Sequence, residues 1–530
     1  MHKSILRTGN GLAKQTSRNI HVNSPPTNGA RITTLPNKIR VASDPAPGHF
    51  SSVGLYIDGG SRYETPETSG ASHFIDRLAF KSTSKRTAED MASAMHSMGG
   101  QIMASSSRET LMYQSSQFST ATATALELIS ETALHPSFLS EEIEAQRDAA
   151  YYEVRELQAK PEMVLPEVLH SVAYGNKGLG NPVLCPEDRI DLIDSNILRR
   201  TMEAWYKPEN MIIAGAGIQH EELVEMVDKY FSSLKASTPA PSISPSIPSS
   251  QRSLPNPQIP INLLASSSQN TVRKSLSRAA SYLFPNTPSD SLLDKSVSPS
   301  SSYTGGHKFI HEPKGDFDHL YIGFEGVGIH DEDIYALATM QVLLGGGGSF
   351  SAGGPGKGMY SRLYTHILNH FSQIDHCQSF HHIYSDSSLF GLFASFVPAA
   401  SGLRGGNTPS QILPHLIHQL SLLMYTTIPA EELKRAKNQL CSSLMMAMES
   451  RSIQVEDLGR QILVHNRVVP VTEMTDKVAQ VTAEDITRVA NRLFGPRSGN
   501  NPTVVCQGHE DVKDWRETFA KYGVSNSTSS

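Results

Sequence analysis

The sequence predicts an α/β protein built twice over, and three pairs of matching segments predict it. "SSVGLYIDGGSRYE" (Ser51–Glu64) alternates Val53, Leu55 and Ile57 before a glycine turn; "DHLYIGFEGVGIHDED" (Asp318–Asp333) repeats the pattern with Leu320, Ile322 and Phe324. Alternation at period two predicts half-buried strands. Ile143–His170 and Leu433–Gln461 share an amphipathic helical period with a polar break midway. Each leads towards a short apolar strand, Asn210–Gly217 in one half and Asn501–Gly508 in the other. The first strand pair is offset by 267 residues and the helical pair by about 290, so the second half has gained about 23 residues between these landmarks. The region that gained them holds a glycine-rich stretch.

At 530 residues the chain is too long for a single core. Its first 43 residues contain no Asp or Glu but seven Lys and Arg, set among Ser, Thr and Asn. That composition predicts a mitochondrial transit peptide over about residues 1–30, the plainer alternative being a disordered basic tail. An N-terminal domain follows at 31–236. Residues 237–303 are rich in Ser and Pro ("STPAPSISPSIPSS") and predict a disordered linker, because they carry too little apolar surface to order themselves. The second domain fills 304–530. A net charge of −6 gives no basic field for nucleic acid. The four cysteines (Cys185, Cys377, Cys441, Cys506) are scattered and form no CxxC pair, so they predict packing residues rather than a disulfide framework or zinc ribbon. Thr87 opens an apolar helical stretch as its N-cap, and the methionines there read as core.

Eight of the fourteen residues from Gly345 to Gly358 are glycine. Holding each in place costs roughly 0.5–1 kcal/mol more than holding an alanine, so so many together ask for a use. The stretch is no phosphate loop. A Walker register puts Ser351 where glycine is needed, and every dinucleotide register fails at its last glycine. A passive low-complexity loop is the plain reading. Against it, helical sequence resumes at once in "MYSRLYTHIL", and Ser349, Phe350 and Lys357 stand on otherwise bare backbone. Such backbone offers N–H and C=O groups to an extended peptide, which favours a mobile flap or substrate-contacting lid.

"GASHFIDRLAFKS" (Gly70–Ser82) carries a damaged metal motif. A zinc site of the H-x-x-E-H type sets two histidines at i and i+4 on one helix face, with a Glu as general base. The matching positions here are His73, Asp76 and Arg77. One ligand survives, the base is a shorter carboxylate, and the second ligand is a guanidinium, which repels a dication.

On these residues the chain resembles the M16 metallopeptidases, a pitrilysin-like family that includes the mitochondrial processing peptidases. The resemblance covers nearly the whole chain. The family's third ligand is a Glu 76 positions after the second histidine, which falls on Glu153 in "EAQRDAAYYEVRE"; the acidic residue usual seven positions earlier is Gln146. The glycine stretch followed by M-Y-S-R-L-Y resembles the family's non-catalytic α-type subunits. That resemblance implies two homologous halves, each a mostly antiparallel sheet with helices packed on one face, forming a clamshell around a chamber. It implies no metal or cofactor in this chain, with zinc in a partner β subunit that performs the hydrolysis. It implies binding of basic presequence peptides in the mitochondrial matrix. The substrate-contacting set would be Gly345, Gly346, Gly347, Gly348, Ser349, Phe350, Gly353, Gly354, Gly356, Lys357 and Gly358, with Asp375 and Asp386 placed to meet a presequence arginine or simply as surface acids. If the two helices pack as in active members, Arg77 reaches Glu153. His366 and His370 stand at i and i+4 near His376, His381 and His382, a pattern that reads as surface or interface histidines before a metal site. Rival readings are a core subunit of the cytochrome bc1 complex, a chain serving both roles, and a self-sufficient peptidase with an altered site.

Overall fold

The computed structural model describes residues 29–236, 301–349, 359–399 and 406–525. The expected transit segment through residue 28, residues 237–300 of the expected linker and Phe350–Gly358 lie outside the described residues.

The duplication predicted from the three segment pairs is present as two six-stranded sheets. The first comprises β1 (Arg31–Thr34), β2 (Arg40–Asp44), β3 (Phe50–Asp58), β4 (Gln101–Ser106), β5 (Thr110–Phe118) and β6 (Met211–Ala216), in the order β1-β2-β6-β3-β5-β4. The second comprises β7 (Gly306–His311), β8 (Asp318–Val327), β9 (Gly346–Gly348), β10 (Ile374–Ile383), β11 (Ser387–Phe396) and β12 (Thr503–Gly508), in the order β7-β12-β8-β11-β10-β9. Each is antiparallel apart from one parallel pair, β2–β6 and β7–β12. Matching residues occupy matching ladder rungs: Leu55 opposes Ile213, and Ile322 opposes Val504. Five strands are common to both sheets. The first sheet adds β1 at one edge, and the second adds the glycine strand β9 at the opposite edge. There β9 covers β10, whose counterpart β4 is left as an edge.

The long helical segments also appear twice, each broken in the middle as the polar interruptions predict. Ser140–Gln158 is followed by Pro161–Tyr174, and Ala430–Ala447 by Arg451–His465. Proline in the first turn starts the second helix of the first pair at no cost in hydrogen bonds. Thr87 is the N-cap of Ala88–Met98, its Oγ1 accepting from the Asp90 N–H at 3.2 Å, and Met91 and Met98 are buried.

The strands are buried on both faces rather than half-buried, because the halves exchange helices. Val53, Leu55 and Ile57 face the helices of their own half. On the opposite face Tyr56, Met112, Ile212 and Ala214 pack against Val455, Leu458 and Ile462 of the helix Arg451–His465, which belongs to the second half. Reciprocally, Leu165, Val168 and Leu169 of Pro161–Tyr174 cover Tyr321, Phe393 and Val505 of the second sheet. Polar bonds follow the same route: Arg40 Nη1 donates to Ile462 O at 3.0 Å, and Gln114 Nε2 to Ser452 O at 2.9 Å. The two halves are therefore interlocked. Cys185, Cys377 and Cys506 are buried, Cys441 is partly so, and all four are free thiols. Among the described residues no helix is long and apolar enough to cross a membrane.

Candidate functional site

The degenerate motif lies on the short helix Ala71–Arg77, whose start is built by Gly70 and Glu64. Gly70 takes φ +89°, and a Cβ there would strike Cys185 Sγ, so only glycine admits this approach. The Glu64 carboxylate accepts from the N–H groups of Gly70 and Ser72, both at 2.8 Å, and from Ser72 Oγ at 2.6 Å. It thereby satisfies donors that a helix start leaves unpaired. Four residues apart, His73 and Arg77 share one face, which turns to Glu153 on Ser140–Gln158.

The expected meeting of Arg77 and Glu153 is present. Arg77 Nη1 donates to Glu153 Oε2, and His73 Nε2 lies 3.2 Å from the same oxygen. The side chains of Arg77 and Glu153 are 20% and 14% exposed, so the pair is poorly screened by water. Cys185 donates its N–H to His73 Nδ1 at 3.3 Å. A ring nitrogen that accepts carries no proton, so His73 is held as the Nε2–H tautomer and donates to Glu153. A zinc ligand needs the reverse arrangement, with the free nitrogen towards the metal and the other donating to a carbonyl or carboxylate. Asp76, in the general-base position, is tied elsewhere: its Oδ2 accepts from Ser106 N at 2.8 Å, at the end of the edge strand β4. Burial raises its pKa, only partly offset by that N–H. These residues do not fit a catalytic zinc. A cation covalently part of the chain sits on the surviving acidic ligand, and the surviving histidine points a proton at it. Among the described residues no three His, Cys, Asp or Glu groups converge as a metal would need. The motif is a cross-brace instead, tying its helix to Ser140–Gln158 through Glu153 and to β4 through Asp76.

The described start of the glycine stretch is a strand rather than a loop. Gly346–Gly348 pairs antiparallel with His376–Gln378 of β10. Gly345 takes φ +60° and Gly346 φ +99°, and a Cβ on Gly346 would collide with the carbonyl of Cys377. The first glycines are thus required by close backbone approach. Ser349, the last described residue, donates its N–H to Asp375 O at 2.6 Å and its hydroxyl to Asp375 Oδ1 at 3.3 Å. The structure so brings Asp375 to the glycine stretch. Phe350, Gly353, Gly354, Gly356, Lys357 and Gly358 fall outside the described residues.

Asp386 lies apart from the glycine stretch. It sits just past the other end of β10, about 30 Å along the strand from Asp375 at the usual rise per residue. Its carboxylate is gripped by both terminal nitrogens of Arg62. That partner comes from the other half of the chain, and the Asp386 side chain stays 43% exposed. Among the histidines, His366 Nδ1 meets Gln419 Oε1 at 2.8 Å and His376 Nε2 meets Gln378 Oε1 at 2.9 Å, while burial lowers the His381 pKa to about 3. Residues without an assigned role in the sequence also gain one. Arg62, in "GSRYE", and Ser361 and Tyr364, in "MYSRLY", all lie within quoted motifs, but their partners are remote in sequence.

Most of the chain is similar to known proteins. Residues 40–187 match the family model described as insulinase (peptidase family M16), and residues 193–440 match the one described as the peptidase M16 inactive domain. The chain is 44% identical over 510 residues to the mitochondrial-processing peptidase subunit alpha of Neurospora crassa, covering 91% of this chain and 87% of that one. It is 36% identical to a probable subunit of the same name from Schizosaccharomyces pombe (95% and 90% covered) and 34% identical to that of Rattus norvegicus (88% and 80%). In fold it resembles a chain of a Candida albicans complex III2 structure with bound Inz-5, with a TM-score of 0.67 at 16% identity, covering 94% of this chain and 100% of that one. The chain belongs to peptidase family M16, among the members named mitochondrial-processing peptidase subunit alpha.

Proposed function

We propose that this chain is the non-catalytic, substrate-recognition subunit of a heterodimeric zinc endopeptidase of the mitochondrial matrix. It binds basic N-terminal presequences and presents them to a zinc-bearing β subunit, which cuts them. The observation that carries this reading is Arg77 lying on Glu153 while Cys185 fixes His73 in the wrong tautomer for a metal. A chain built this way leaves water activation to its partner. The names of its relatives, and the acid-free basic composition of its first 43 residues, support the mitochondrial setting.

Recognition then falls to the glycine stretch and its surroundings. Backbone without side chains accepts peptides of varied sequence, and Asp375 beside it supplies a carboxylate for a cationic residue. Core-subunit membership in a respiratory complex draws on likeness of fold alone. The test is to reconstitute the chain with its β subunit, delete Gly345–Gly358, and measure both binding and cleavage of a presequence peptide. Binding weakens at least tenfold while the partner keeps its zinc. Unchanged binding overturns the reading, and so does cleavage by the isolated chain.

A further inference from the structure

The glycine strand has an outer edge, and two side chains already occupy part of it. Ser379 N donates to Gly345 O at 2.9 Å, and Ser349 N donates to Asp375 O. These two bonds fix the phase of the β9–β10 ladder. In an antiparallel pair hydrogen-bonded and non-hydrogen-bonded rungs alternate, so Gly347 faces β10 while Gly346 and Gly348 turn their N–H and C=O groups outward. Those outward groups meet the chain that returns after the stretch. Gly346 N–H donates to Ser361 Oγ at 3.0 Å, and Tyr364 OH donates to Gly348 O at 2.7 Å.

Both anchors are themselves held firmly. Ser361 is fully buried and Tyr364 is 5% exposed. Between them, Arg362 donates to Glu432 Oε2 at 2.7 Å, which pins the segment to the helix Ala430–Ala447. Tyr364 opens a single π-helical turn, Tyr364–Leu368, closed by the Asn369 N–H on Tyr364 O at 3.0 Å. Such wide turns inside or beside helices recur at functional positions. Phenylalanine and alanine at these two positions would keep the carbon framework and remove only the hydroxyls. What they add is a fixed register for three glycines that have no side chains with which to hold one.

We propose that Ser361 and Tyr364 are positioning residues that hold the glycine strand in register on the sheet edge and so set the affinity for a basic peptide. The proposal rests on the recognition role argued above and deepens it. The experiment uses the full chain reconstituted with its zinc-bearing partner and an arginine-bearing presequence peptide as probe. Tyr364→Phe and Ser361→Ala each raise KM about threefold to tenfold, the range expected for one lost hydrogen bond, while kcat stays unchanged. Amide exchange across Gly346–Ser349 quickens in both variants and nowhere else. Both variants lose some stability with the bond itself, so melting temperature does not discriminate; a fall in kcat accompanying the rise in KM marks a purely structural role and overturns the proposal. So does a KM unchanged in both variants. The Gly345–Gly358 deletion separates the two claims: if it abolishes binding while the point variants are silent, the recognition role stands and the anchoring fails. If the deletion is silent too, both fall.

Discussion

Arg62, in the first half, grips Asp386, in the second, through both terminal nitrogens of its guanidinium, and it does so at 1% exposure. Glu109 completes the group: its Oε1 accepts from Arg62 Nη1 at 2.5 Å and from Ser385 Oγ at 2.7 Å. Burial works against the charge on Arg62, yet the hydrogen bond to Asp386 and the field of Glu109 hold its pKa above the ordinary value. Removing one member of a buried charge group strands the others, at about 3–5 kcal/mol. Arg62→Met therefore destabilises the chain by that order, whereas Asp386→Asn, at a carboxylate 43% exposed, costs about 1 kcal/mol or less. Denaturant titration of both variants checks the ordering, and equal small losses would remove the clasp from the account.

The Arg77–Glu153 pair makes a second prediction, read out by metal rather than by activity. Zinc added to the native chain leaves its melting temperature unchanged, because a guanidinium already holds Glu153. Arg77→His completes a three-ligand set with His73 and Glu153, whose facing atoms stand 3.2 Å apart. Two ligands about 2.1 Å from one tetrahedral zinc are spaced much like that. Zinc at a hundredfold excess over Kd then stabilises the variant by about 2.7 kcal/mol, and it melts at a higher temperature. Its affinity stays about tenfold to a hundredfold below that of an intact site, since the Cys185 N–H opposes the tautomer zinc needs. Melts with and without zinc, and metal content after dialysis, decide it. A zinc-dependent rise in the native chain sinks the argument.

These sites show how far the sequence carries. Period-two and helical patterns located β3, β8, both broken helix pairs and the duplication itself, because periodicity records which face is buried. Helix geometry set His73 and Arg77 on one face, but the pairing of Arg77 with Glu153 was legible only through the resemblance to active family members, whose third ligand falls on Glu153. Helix exchange was not: Val455 and Leu458 read as apolar on any face, and only tertiary topology assigns them to the other half's sheet. Nor was the Arg62–Asp386 pair, whose members lie 324 residues apart. The glycine strand escaped for a different reason. Glycine has low strand propensity, and β9 is held by close approach to β10 rather than by any preference of its own residues.

Glu64 predicts a dependence on pH. Its buried carboxyl is pushed up to about 7 by burial, against the hydrogen bonds from Ser72 and Gly70 that favour the ionised form. In the unfolded chain it titrates near 4.3. Between these values the folded state binds more protons than the unfolded state, so stability falls as pH rises from about 4.3 to 7 and levels off above. The loss from this group reaches at most about 4 kcal/mol. Glu64→Gln removes the slope: unfolding free energies measured across that window lose this fall, whatever the absolute offset. A slope equal in both proteins would assign the titration to another group.

Gly459 gives the last prediction, because it tests the interlock directly. It lies in the helix Arg451–His465 where that helix crosses the first sheet, and a Cβ there would run into the ring of Tyr56. The ring has little room to yield: Tyr56 is fully buried, its hydroxyl donates to Gln114 Oε1 at 2.8 Å, and Gln114 donates in turn to Ser452 O on the same helix. Alanine in a helix ordinarily gains about 1 kcal/mol over glycine. Overpacking against a pinned aromatic costs about 1–3 kcal/mol. The second effect wins, and Gly459→Ala lowers stability by about 1 kcal/mol. Since the helix belongs to one half and the ring to the other, the whole transition moves. Calorimetry records one endotherm in both proteins, displaced to lower temperature in the variant. Two separable endotherms, with only one displaced, would mean that the halves fold independently and that the exchanged helices do not bind them into one body.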